Sequence, residues 1–308
     1  MPMLCVTVTD SDPRLHGDDV PLQPALAAAL AADSGPVTIM VHGYKYQPGH
    51  PIHCPHGTLM SPEPRNGDWK IVSWPERLGL HGQRGQGLAI SFGWRARGSI
   101  WAAHRRAEAA GHALAALVRE IRQYAPTRRI NVVAHSLGAR VALTAIRVGP
   151  CGAITRAVLL AAAEYGEVAS QTLDSPSGRL TEVLNVTTRE NDLYDFMLEC
   201  LVPPQRRGDR MLGHGGLRHP RLVTLQLDDT RSLAALRHAG FPIAAPERLI
   251  CHWSPYLRKG VFPLYRAVLT GAMPLDRLRA LLPDDCAPRW SRLRPRLPRP
   301  QPRLLPAE

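Results

Sequence analysis

Short blocks of consecutive apolar residues alternate along this chain with longer stretches whose apolar positions recur every three or four residues. The blocks at 37–41, 87–94, 130–135, 156–163, 181–188 and 222–227 suit strands buried on both faces of a parallel sheet. A weaker alternation over 4–9 predicts an early strand. The periodic stretches at 22–33, 99–123, 166–173, 194–201, 231–238 and 262–269 predict helices; Leu114, Leu117, Val118 and Ile121 mark the core face of the longest. Strand and helix in alternation imply an α/β architecture, a doubly wound and mostly parallel sheet with right-handed crossovers. There is no internal repeat. Two irregular segments, 47–86 and 203–220, interrupt the alternation; they are rich in Pro, Gly, His and Arg. Connections of that length predict lid-like insertions or pocket walls. A single domain over 1–286 follows, with a Pro/Arg-rich stretch at 287–308 that is expected to be disordered.

The most informative block is Ile130-Asn131-Val132-Val133-Ala134-His135-Ser136-Leu137-Gly138-Ala139-Arg140. A buried strand runs into a helix whose apolar face is Val141, Ala142, Ala145 and Ile146, with only a few small residues between. Ser136 occupies the apex of that turn. The sequence Ala-His-Ser-Leu-Gly differs from Gly-x-Ser-x-Gly only at its first position, where alanine is the smallest replacement. On these residues the chain resembles the α/β-hydrolase superfamily. With His-Gly-Tyr-Lys at 42–45, Ser-Phe-Gly-Trp at 91–94, Arg-Glu-Asn-Asp at 189–192 and Cys-His-Trp-Ser at 251–254, it resembles more narrowly a bacterial group of such proteins of unassigned substrate. That resemblance spans roughly residues 37–270 and implies an α/β-hydrolase fold with a Ser, acid, His order of catalytic groups.

A serine hydroxyl needs a base to take its proton, an acid to orient the base and donors for the developing oxyanion. Ser136 is the expected nucleophile. The N–H of Leu137, at the start of the helix, is the first expected oxyanion donor, and by the resemblance Tyr44 after His42-Gly43 supplies the second. The loop after strand 181–188 places Asp192 at the sheet's carboxyl edge, where sites gather. Asp192 is therefore the expected acid; it also suits an ordinary helix cap, and Glu190 and Asp195 stand beside it as alternatives. His252, beyond Asp192 in sequence, is the expected base, with His238 and His214 as competitors. Trp94 and Trp253 are expected to wall an apolar substrate cleft, although aromatic residues serve equally well as plain core.

Charge and composition change this picture little. The formal charge is +12, and Lys occurs only at 45, 70 and 259. From Cys286 onward six arginines face Glu308 alone, so part of the excess belongs to the end of the chain. No basic helix face or RNA-binding pattern accompanies it, which argues against specific nucleic-acid binding. Six scattered cysteines, an N-terminus without a signal-peptide pattern and no apolar run near ~20 residues lead to the expectation of a cytoplasmic protein with reduced thiols and no transmembrane segment. His50, His53, Cys54 and His56 crowd together, but Pro51 and Pro55 break any standard zinc spacing, so neither metal nor cofactor is expected. The function these residues predict is hydrolysis of a carboxylic ester, of a lipid or another acyl compound, through an acyl-enzyme. An amide or thioester would use the same groups, and a non-catalytic binding protein on this fold is the rival reading.

Overall fold

The computed structural model describes residues 3–9, 12–17, 20–65 and 67–293. In chain order the strands are β1 (Met3–Thr9), β2 (Asp12–Leu15), β3 (Val37–Val41), β4 (Leu88–Gly93), β5 (Ile130–His135), β6 (Ile154–Leu160), β7 (Glu182–Thr187) and β8 (Leu222–Gln226). The helices are α1 (Leu22–Ala32), α2 (Trp74–Arg77), α3 (Ile100–Tyr124), α4 (Gly138–Val148), α5 (Gly166–Asp174), α6 (Asp192–Leu201), α7 (Thr230–His238), α8 (Ser254–Leu257), α9 (Val261–Thr270) and α10 (Leu275–Leu281). The eight strands form one sheet in the order β2-β1-β4-β3-β5-β6-β7-β8. All neighbours are parallel except β1 and β2, an antiparallel hairpin on the edge. This is the doubly wound α/β architecture that the alternation predicts.

The parallel strands bury both faces, and successive residues alternate between two cores. Ile39, Val41, Val132 and Ala134 face one side, where α1, α3, α4 and α5 pack. Met40, Val133, Val158 and Leu184 face the other, with α7, α9 and α10. After β4 the chain crosses back past β3 to β5, so the carboxyl ends of these three strands adjoin at the point where the winding direction reverses, the usual place for a site in such sheets.

The irregular segments are less separate from the domain than lids would be. Leu59, Met60 and Trp74 from the first are fully buried in the second core. In the second, Met211 and Leu212 are buried, and the carbonyls of Leu212 and Gly213 accept hydrogen bonds from Asn185 and Thr187 on β7 at 3.1 and 2.7 Å. The stretch expected to be disordered from 287 also differs: residues 287–293 fold back as a strap. Trp290 N–H donates to Asp192 at 2.7 Å, Ala287 N–H to Gln226 at 2.7 Å, and Arg289 pairs with Glu199. The tail beyond 293 lies outside the described residues.

Candidate active site

Ser136 follows β5 directly and has φ of 56°, left-handed backbone that L-residues adopt only when their surroundings enforce it. The enforcement is visible. Its N–H donates to Leu160 O at 3.0 Å, and its carbonyl accepts from Ala139 and Ala163 at 2.9 and 3.1 Å. Small residues are required around it. A methyl on Gly43 would lie 2.7 Å from Ser136 Cβ, and one on Gly138 would lie 2.6 Å from His42 O. The elbow and the 42–44 turn are therefore pressed against each other. Behind them Arg140 is held by the carboxylates of Glu164 and Glu108.

That 42–44 turn is rigid for a reason carried by His42. Its Nδ1 donates to Gly43 O at 2.9 Å and its Nε2 accepts from Trp94 N–H at 3.0 Å, which fixes a neutral tautomer. Burial pushes its pKa down to about 4, so it stays neutral. The Tyr44 and Leu137 backbone N–H groups donate no hydrogen bond among the described residues. Trp94 takes a different place from the cleft wall expected of it. It is 1% exposed, stacks on His42 at 5.6 Å and donates through Nε1 to His42 O. Its role is to brace the turn, because the end of β4 points it into the core.

His252 sits in a nest of rings. Tyr194 stacks on it at 4.7 Å, and His135, the residue before Ser136, lies 4.6 Å away. His135 Nε2 donates to His252 O at 3.1 Å. The Nδ1 of His252 meets Asn191 Oδ1 at 2.6 Å, which leaves Nε2 as the free ring nitrogen. Burial, and then the nearby His135, lower the His252 pKa well below the ordinary value. Trp253 packs edge-on against the exposed Trp69 at 5.7 Å. His238 and His214 are exposed, at the end of α7 and in a turn of the second irregular segment.

The expected acid is not brought to His252. Asp192 is the first residue of α6, and the helix start turns its carboxylate away from His252. Oδ2 accepts from Trp290 N–H, and Oδ1 lies 3.3 Å from Arg189. Its neighbour Asn191 takes that position instead. Glu190 is turned aside too, paired with Arg258 and bonded to Thr188. Its carbonyl, however, accepts from Cys251 N–H at 2.9 Å and so pins the His252 segment over the Asn191 loop. Asp195 completes the set from one turn along α6: its Oδ1 accepts from Asn191 Nδ2 at 2.9 Å. Burial pushes the Asp195 carboxyl up to about 7, against the pull of Arg289 and Arg189. His252, Asn191 and Asp195 thus form a continuous hydrogen-bonded line. Asn191 stood inside the Arg-Glu-Asn-Asp motif, but a search for an acid passes over an amide.

The cluster at His50–His56 has local partners. His56 Nδ1 bonds Ser91 Oγ at 2.7 Å and Nε2 bonds Thr7 at 3.1 Å, while His50 Nδ1 accepts from the N–H groups of Ile52 and His53.

Residues 99–197 match the family model of the T6SS Tle3 phospholipase effector domain. The match runs from the start of α3 through the elbow to Met197 and includes Ser136, Asn191 and Asp195. It supports a lipase-like hydrolase family and lipid ester hydrolysis in general. A comparison with curated proteins gives no match. Among the described residues no helix is long and apolar enough to cross a membrane.

Proposed function

We propose that this chain is a serine hydrolase of α/β-hydrolase type that cleaves a carboxylic ester of a phospholipid, with Ser136 as nucleophile and His252 as base. The observation that carries the reading is the left-handed Ser136 on a strand-to-helix turn, directly after His135, whose ring lies 4.6 Å from that of His252, a histidine with its Nδ1 fixed by Asn191.

In this reading Ser136 Oγ attacks the ester carbonyl carbon as its proton passes to His252 Nε2. The carbonyl oxygen becomes an oxyanion held by the N–H groups of Leu137 and Tyr44. The tetrahedral intermediate collapses, the alcohol leaves with the proton from His252, and an acyl-Ser136 remains. Water, deprotonated by the same nitrogen, releases the acid and restores the serine. Hydrogen bonds of this kind are often loose before substrate binds and tighten in the complex; here no Ser136–His252 bond is formed among the described residues. Asn191 orients His252 with its Nδ1–H donating. Asn191 carries no charge to balance the imidazolium, and Asp195 supplies one through the amide when it is ionised. Asp192, expected as the acid, serves the loop's structure.

Labelling with a fluorophosphonate tests this directly. The folded wild type is expected to label and Ser136→Ala to remain unlabelled; an unlabelled wild type overturns the proposal. Release of fatty acid from phospholipid, against a matched amide, then separates ester from amide chemistry.

A further inference from the structure

We infer that the rim around this site is a docking surface for an anionic lipid bilayer; the inference rests on reading the site as a lipid ester hydrolase and names the physical form in which substrate meets it.

The first observation is an inverted helix. A surface helix ordinarily turns its polar face outward. In α6 the outward face carries Leu193, Phe196, Met197 and Leu201, all exposed, at spacings of three, four and eight, while Asp195 and Leu198 point inward and are buried. The apolar patch continues beyond the helix. Trp101, exposed at the start of α3, donates through Nε1 to Leu201 O at 2.6 Å. The ring of Phe196 meets Trp290 at 5.7 Å. The strap then reaches the carbonyl of Arg248 through Arg292, next to Leu249 and Ile250. Leu249 is 60% exposed. Most of the exposed large apolar side chains among the described residues belong to this one rim, and an exposed patch that is gathered rather than scattered marks an interaction site.

The second observation is charge. Lys45 and Arg97 flank the 42–44 turn, Arg95 and Arg105 stand before and after Trp101 in sequence, and none of them forms an ion pair among the described residues. Lys70 lies 4.4 Å over the Trp253 ring and Arg248 lies 3.9 Å over Trp69, at the edge of the patch, and neither forms an ion pair among the described residues. Asp68 and Glu247 are the carboxylates nearby in sequence. An apolar centre bordered by unpaired cations fits hydrocarbon bordered by anionic headgroups. The segments that carry the patch also carry the chemistry: Leu193 follows Asn191 by two residues, and Ile250 precedes His252 by two. Seating this rim on a bilayer brings the reacting groups to the headgroup level.

The test uses the full chain as Ser136→Ala, so that vesicles stay intact, in co-sedimentation with phosphatidylcholine vesicles and with vesicles that also contain phosphatidylglycerol. Binding to the anionic vesicles, weakened by salt, is expected. Met197→Asp with Leu249→Asp should weaken it about tenfold or more on both vesicles. Arg105→Glu with Arg248→Glu should weaken it about tenfold on the anionic vesicles alone. The same surface changes in the Ser136 protein should leave turnover of a short, water-soluble ester unaltered. Absence of vesicle binding, or binding unchanged by either pair, overturns the inference. So does a concentration-dependent dimer that Met197→Asp with Leu249→Asp dissolves, which would make the rim a protein interface. Soluble-ester turnover without vesicle binding refutes the docking surface alone, and vesicle binding without any ester turnover refutes the hydrolase reading alone.

Discussion

The Nδ1 of His252 lies 2.6 Å from the side-chain oxygen of Asn191, and the Asn191 amide nitrogen in turn donates to Asp195. The proposed base is therefore oriented by a neutral group with a carboxylate one residue further out. Replacing Asn191 by Ala frees the ring and is expected to lower kcat by about 10²–10⁴-fold. Asn191→Asp should keep activity and move the acid limb of kcat/KM to higher pH, because a direct carboxylate raises the pKa of His252. Asp192→Asn, in contrast, should leave kcat within about threefold, since its oxygens serve Trp290 and Arg189. A large loss of kcat in Asp192→Asn with its melting temperature retained would restore the aspartate as the acid.

Asp195 links the site to pH in two ways. An unfolded aspartate titrates near ~3.9, whereas burial holds this one up to about 7. Between those values the folded chain keeps a proton that the unfolded chain has lost, so stability falls as pH rises through that window. Denaturant titrations at several pH values should show a shallower decline in Asp195→Asn than in the wild type; equal slopes would contradict the assignment. For turnover the sign reverses, because only the ionised carboxylate offsets the imidazolium. Wild-type kcat should climb as pH passes about 7, and the climb should vanish in Asp195→Asn.

In its proposed role Ser136 trades stability for chemistry. Its left-handed backbone costs on the order of 1–2 kcal/mol that glycine does not incur. Ser136→Gly should therefore be inactive and melt higher than Ser136→Ala, with the two compared by calorimetry.

Gly43→Ala and Gly138→Ala press a methyl into the contact between the elbow and the 42–44 turn. Each is expected to cost about 1–3 kcal/mol and to depress kcat more than KM, because the proposed oxyanion donors shift while the outer rim does not. Stopped assays on purified variants separate the two constants.

How much of this was readable in the residues depended on the range of the interaction. The strand at 130–135 and the elbow after it follow from apolar runs and small residues next to each other in sequence, and both were legible. The β2 hairpin strand, Asp12–Leu15, was not, because its alternating residues are half-exposed and its pairing with β1 is what makes it a strand. Helix α10 was missed for a similar reason: only Leu275 and Leu278 are buried, too few to show a period. Within the site, Ser136 and His252 carry recognisable chemistry. The choice among Glu190, Asn191, Asp192 and Asp195 rests on a turn at 189–191 whose rotation sets which side chain faces the histidine, and that rotation is fixed by partners such as Arg258, Trp290 and Cys251 far along the chain. Trp94 has the composition of a cleft wall and the surroundings of a core residue.

The strap ties two distant stretches of the candidate site to one another. Asp192 and the Trp290 N–H that holds it are 98 residues apart, and the same strap reaches over to Arg248 beside the His252 segment. A single cut between the His252 segment and residue 287 would therefore free the 189–192 loop and the 248–252 segment from their common brace while every residue proposed to react stays in its own fragment of the fold.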